Sequence, residues 1–134
     1  MTRYALLDTS VVISAMGAGE VEELPYDVLV VSALSYAELR LGLVTATDMD
    51  ELRRRIRRIE AISRVFGPGI PFDDACAREY ERVVQAAVDH GQRPRTNAVD
   101  RMIAAVAAAH RMPLLTRNAV DLRGVDGLVD IVTV

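Results

Sequence analysis

No lysine occurs anywhere in the 134 residues; all 16 basic side chains are arginine. That absence removes the ammonium group that supports a strand-end aspartate in aspartyl-phosphate phosphatases and in phospho-receiver domains. Cysteine is nearly as scarce. Cys76 is the only one, so no internal disulfide can form, which fits a reducing cytosol. Half the residues are apolar, at 51%, yet no run approaches membrane-spanning length, so the chain reads as soluble with no membrane partner. A strand pattern begins almost at the first residue, with no apolar segment ending in small residues, so no secretory signal and a cytoplasmic location are expected. The 19 acids outnumber the 16 bases, and a net charge of -3 excludes a basic nucleic-acid coat. Repeats, low-complexity tracts and a linker to a second domain are all missing, which predicts one domain over 1–134, large enough for a hydrophobic core.

What is present begins with Arg3-Tyr4-Ala5-Leu6-Leu7-Asp8-Thr9-Ser10. A short apolar run bounded by polar residues reads as an interior strand of a parallel sheet. The spacing predicts a helix from Thr9 to Met16, ended by Gly17-Ala18-Gly19, and a further helical turn from Glu20 to Leu24. Val28 to Val31 reads as a second strand, followed by a helix starting at the capping-box pattern Ser35-x-x-Glu38. From Thr47 or Asp48 a long helix carries Met49, Leu52, Ile56, Ile59, Ile62 and Val65 as one apolar stripe, stopped by Gly67-Pro68-Gly69. Asp73 or Asp74 caps a helix to Asp89, and Asn97 caps an alanine-rich helix to Arg111. Pro113 to Thr116 and Leu128 to Val134 read as strands. Strands alternating with helices predict an α/β fold, a three-layer α/β/α domain with a mainly parallel central sheet.

Oxygen ligands stand at strand ends and helix starts: Asp8, Glu38, Asp100, and the pair Asn118 and Asp121. Each has a local explanation. Asp8 could cap the helix after it, Ser35-x-x-Glu38 and Asn97-x-x-Asp100 fit capping boxes, and Asn118 and Asp121 suit turns. Helices that bury one side against such a sheet nevertheless deliver their first turns to one edge, where α/β sheets bind ligands. Acids gathered there repel one another unless a cation joins them. Carboxylate and amide oxygens without Cys or His select Mg2+ or Mn2+ over zinc. Metal-assisted attack of water on a phosphodiester is the chemistry this donor set suits. His90 and His110, at helix ends, read as structural, and Cys76 as a small buried hydrophobe. The arginines between Arg53 and Arg58 are read either as an RNA contact or as a solvated face beside Asp48, Asp50, Glu51 and Glu60.

Leu6-Leu7-Asp8-Thr9-Ser10-Val11, Ser35-x-x-Glu38-Leu39-x-x-Gly42, Asp100-x-x-Ile103-Ala104-Ala105 and Leu115-Thr116-Arg117-Asn118, in that order, resemble the PIN-domain ribonucleases. Length and order resemble in particular the VapC toxins of prokaryotic toxin–antitoxin pairs. The resemblance implies a PIN-like fold and an endoribonuclease that cleaves RNA with Mg2+ or Mn2+ held by Asp8, Glu38 and Asp100. It also implies a cognate antitoxin protein, and a homodimer or a toxin–antitoxin hetero-oligomer. A fourth acid of the family often falls where this chain has Asn118, and Asp121 lies close enough in sequence to take its place. The competing readings are a metal-binding but inactive interaction module and a haloacid-dehalogenase-type phosphatase. The second would need an Asp-x-Asp motif where this chain has Asp8-Thr9-Ser10.

Overall fold

Ala5, Leu6 and Leu7 are wholly excluded from solvent, and strand β1 (Tyr4–Leu7) is the line on which the other elements are laid. The fold, a computed structural model, is described over residues 1–18 and 24–134, with backbone alone for 15–18. The expected helical turn over residues 20–24 therefore falls, apart from Leu24, outside the described residues. Helix α1 (Thr9–Ala18) follows β1 and runs past the expected stop at Gly17. Strand β2 (Val28–Val31) and helix α2 (Ala33–Val44) come next, then α3 (Met49–Phe66), α4 (Asp74–Asp89) and α5 (Ala98–Ala109). Strand β3 (Leu114–Thr116), a 3-10 turn (Ala119–Leu122) and strand β4 (Ile131–Thr133) complete the order. The last strand is shorter than expected, because Leu128 and Val129 lie in the preceding turns, where Val129 still reaches the core.

The sheet runs β2-β1-β3-β4 with every pair parallel, as the sequence predicted. Leu7 pairs with Val31 on one side and Leu115 on the other. Alternation along the strand sends Leu6 to one face and Ala5 and Leu7 to the other. Leu6 joins Ile103, Val106 and Leu114 beneath α4 and α5; Leu7 joins Val11, Ile59 and Ile62 beneath α1, α2 and α3. Each fully buried leucine contributes about 1.5–3 kcal/mol of transfer free energy, so the two cores hold the three layers together. No helix among the described residues is long and apolar enough to cross a membrane.

Two expectations about helix starts are corrected. The cap of α2 is Ser32, whose hydroxyl accepts from the Leu34 N–H, so Ser35 lies inside the helix and Glu38 in its second turn. Asn97 occupies the cap position of α5 but makes no side-chain cap bond. By contrast Asp48 and Asp73 cap α3 and α4 as expected, accepting from Glu51 and Cys76. Ile70 extends the sheet edge through a parallel bridge with Ser32. Gly69 permits it: an added Cβ would stand 2.5 Å from the Ala33 nitrogen.

The α3 stripe is only half used. Ile59 and Ile62 are buried, whereas Met49, Ile56 and Val65 remain exposed. Arg53, Arg54, Arg57 and Arg58 are exposed as well, while Arg55 reaches Glu51 and the Gly42 carbonyl and so ties α3 to α2. Cys76 is wholly buried, and burial pushes its thiol above the usual range, in keeping with a structural role. His90 sits against the Ala86 carbonyl at the end of α4, 2.9 Å away.

Candidate active site at the carboxyl ends of β1 and β3

The sheet order places β2 on one side of β1 and β3 on the other, so the chain reverses its winding direction between β1 and β3. Crevices form at such switch points, outside the carboxyl ends of the strands. Asp8 follows β1 directly and is 4% exposed, so its carboxylate must be satisfied by the protein or by a ligand. Its Oδ2 accepts from the Thr116 hydroxyl at 2.8 Å and from the Ser10 hydroxyl at 3.3 Å. Its Oδ1 accepts from the Thr9 N–H at 2.9 Å, and its carbonyl from the N–H groups of Val11 and Val12. Asp8 thus opens α1 with its backbone, while Thr9, Ser10 and Thr116 hold its carboxylate at the carboxyl end of β1.

Thr9 carries the next link. Its hydroxyl donates to Glu38 Oε1 at 2.6 Å and lies 2.8 Å from the hydroxyl of the buried Ser35. Ser35 and Glu38 are three apart on α2, one turn of one face. Ser35 is therefore not a cap; it packs against Thr9 and helps hold Glu38 toward β1.

Asp100 stands in the first turn of α5. Burial, then the charges of Asp8, Glu38 and Asp121, push its carboxyl up to about 6. Four acids from the end of β1, α2, α5 and the 3-10 turn therefore lie close enough to act on one titration. Asn118 enters differently. Its side chain is exposed, and it contributes its backbone N–H to Thr116 Oγ1 at 3.0 Å and its carbonyl to the Asp121 N–H at 3.0 Å. Past β3, the charge of Asp121 is the last of the causes that raise Asp100, and Asn118 carries no charge.

The sequence reading gave no site role to Thr9 or Thr116 and read Ser35 as a helix cap. Thr116 carried a usable signal: it directly follows Leu115, which is in register with Leu7, just as Asp8 follows Leu7.

The donor set is oxygen throughout, which fits a hard divalent cation. Among the described residues, no three His, Cys, Asp or Glu side chains are grouped so as to hold a metal ion. Mg2+ suits such an open arrangement, because it retains several waters and takes one or two carboxylates directly. The mutual repulsion felt by Asp100 is the feature a cation would relieve.

Comparison with known proteins gives a consistent result. The PIN domain family model matches residues 5–128. Ribonuclease VapC5 of Mycobacterium tuberculosis is 32% identical over 127 residues, spanning 94% of this chain and 90% of that protein. Among solved structures, VapBC-5, a member of the VapBC family of toxin–antitoxin systems from Mycobacterium tuberculosis, superposes with a TM-score of 0.79. It shows 31% identity, with 98% of each chain covered. FitAcB from Neisseria gonorrhoeae gives a TM-score of 0.77 at 29% identity, with 96% of each chain covered.

Proposed function

This chain belongs to the PIN-domain family, in its VapC group, and from that premise we propose that it is a Mg2+- or Mn2+-dependent endoribonuclease. On this reading it is the toxin of a type II toxin–antitoxin pair and acts in the cytoplasm. The observation that carries the reading is the hydrogen-bonded set Asp8, Thr9, Glu38 and Thr116 at the carboxyl ends of β1 and β3, beside an Asp100 whose carboxyl is raised by burial and then by the charges of Asp8, Glu38 and Asp121. Asp8 and Asp100 are the residues assigned to hold the cation directly, with Glu38 engaging it directly or through water. When bound, the cation supplies a water of lowered pKa and offsets charge building on the phosphodiester.

The chain's own residues then have separate tasks. Thr116 and Ser10 orient Asp8, and Thr9 takes Glu38 Oε1, leaving Oε2 without a hydrogen bond among the described residues. Asp121 is assigned as the fourth acid, since it carries a charge that helps to raise Asp100, whereas Asn118 offers only a neutral amide and is exposed. The test is incubation of the purified protein with total RNA and Mg2+, followed by mapping of new 5′ ends. Discrete cleavage that EDTA stops and Mg2+ or Mn2+ restores is expected. Cation binding without cleavage would leave the inactive interaction module as the better reading.

The antitoxin is assigned to the groove between α2 and α3. It has a volume of about 500 Å³ and is lined by Arg40, Leu43, Ile56, Ile59, Glu60 and Arg64, among others. Ile56 stands exposed there at 38% although it belongs to the apolar stripe, so a partner's apolar side chain would complete its burial. With the cognate antitoxin co-expressed, Ile56→Asp is expected to lose co-purification while cleavage by the free protein persists. Undiminished co-purification would move the docking site elsewhere.

A further inference from the structure

Asn97 adopts a left-handed backbone, φ 52 and ψ 42, at the position where α5 begins. A non-glycine residue there is uncommon, although asparagine tolerates it better than most. Its side chain ignores the free N–H groups of the helix it starts. Instead the amide Nδ2 donates to the backbone carbonyl of Asp121 at 3.3 Å, across 24 residues of sequence. That carbonyl belongs to one of the four acids, and Asp100 is three residues beyond Asn97.

The bond extends a chain of hydrogen bonds to α5. Thr9 joins Glu38, and its N–H joins Asp8. Asp8 joins Thr116, Thr116 joins Asn118, and Asn118 joins Asp121. Without Asn97 this chain would stop at Asp121, on the short 3-10 turn. A cap in its ordinary extended conformation would have aimed the side chain back at α5. The left-handed backbone is associated with a side chain that leaves the helix and reaches the 3-10 turn.

We propose that Asn97 is a positioning residue whose amide bond to the Asp121 carbonyl sets the spacing between Asp121 and Asp100. The inference rests on the nuclease reading for its consequence, since that spacing matters only if the two acids serve one cation. Groups that orient metal ligands from behind commonly change metal affinity or activity by about 10–100-fold when removed.

Asn97→Gly isolates the side chain, because glycine accepts the same backbone angles and is tolerated at a cap. In the metal-free protein, amide hydrogen exchange over residues 119–122 should rise while the rest of α5 keeps its protection. Mn2+ affinity by calorimetry should fall about tenfold or more, with a melting temperature within a few degrees of the parent. Asn97→Ser, whose hydroxyl is too short to reach the Asp121 carbonyl, should behave alike and serves if the glycine variant folds poorly. Among the described residues, Arg111 has the other left-handed non-glycine backbone, at φ 53 beyond the far end of α5. Arg111→Gly should leave Mn2+ affinity unchanged. Parental exchange over 119–122 in the Asn97 variants overturns the strap, and raised exchange with parental Mn2+ affinity overturns its role in positioning. If the unmodified protein neither binds Mn2+ nor cleaves RNA, the nuclease reading falls and with it the positioning role, while the exchange data still decide whether the strap exists.

Discussion

Asp8→Asn is expected to lower RNA cleavage by at least about 100–1,000-fold while leaving the protein folded. The size follows from the position of Asp8 at the carboxyl end of β1, 4% exposed, with both carboxylate oxygens held by Thr9, Ser10 and Thr116. An asparagine side chain keeps the shape and still accepts one hydrogen bond, but it places an NH2 group and no charge against the cation. The fold should survive because two effects oppose each other. Turning the Thr116 hydroxyl away from a carboxylate costs about 1–2 kcal/mol. Against this, removal of the Asp8 charge relieves the repulsion that contributes to raising Asp100. The measurements are a cleavage assay and a thermal melt on the same preparation. Undiminished cleavage by a folded Asp8→Asn protein would defeat the assignment of Asp8 as a cation ligand.

Asp100→Asn is expected to stabilise the cation-free protein at neutral pH and to do so less and less as pH falls. Asp100 has an ordinary value of 3.8 and a folded value of about 6. Below the lower value the carboxyl is protonated in both states, and its favourable contribution to folding is fully present. Between about pH 4 and pH 6 the unfolded chain releases its proton while the folded protein retains it, so that contribution is lost as pH rises. Above the upper value the folded state carries an ionised Asp100 beside Asp8, Glu38 and Asp121. Discounted for partial exposure, the difference is on the order of 1–2 kcal/mol, or several degrees of melting temperature. Glu51 and Asp73 are held below their ordinary range, first by backbone hydrogen bonds from Thr47 and Cys76, and they contribute in the opposite sense. The readout is therefore the gap between variant and parent at each pH, not either curve alone. That gap should be near zero around pH 4 and widest above pH 7. Mg2+ should close it by stabilising the parent alone. A gap that widens toward acid would overturn the account.

Elements with local signals can be read from the chain alone. β1 is legible because a short apolar run followed by an acid has few other uses in an α/β chain. The starts of α3 and α4 are legible because Asp48 and Asp73 bond to N–H groups only three residues away. The sheet follows from the alternation of strands and helices, since parallel strands require crossovers. Asp8 and Asp100 are legible as site candidates because the ends of parallel strands and the starts of the following helices share one edge.

Tertiary structure decided what depends on contacts distant in sequence. Ser32 and Ser35 both suit a cap; Ser32 takes it, and Ser35 faces Thr9 on an element 26 residues earlier. Asn118 and Asp121 both suit a turn after β3. The Thr116 hydroxyl takes the Asn118 N–H, and the 3-10 turn that follows leaves Asn118 exposed and Asp121 near enough for its charge to help raise Asp100. The apolar stripe of α3 has one sequence period but two fates, because α2 and the sheet cover Ile59 and Ile62 and leave Ile56 at the groove. Asn97 looked like a cap by composition, and only a carbonyl 24 residues away turns its amide from helix to strap. Periodicity and capping report energies that a few neighbouring residues can satisfy. The electrostatics of the site and the aim of Asn97 depend on groups from four elements, and only the packed sheet and helices bring those groups together.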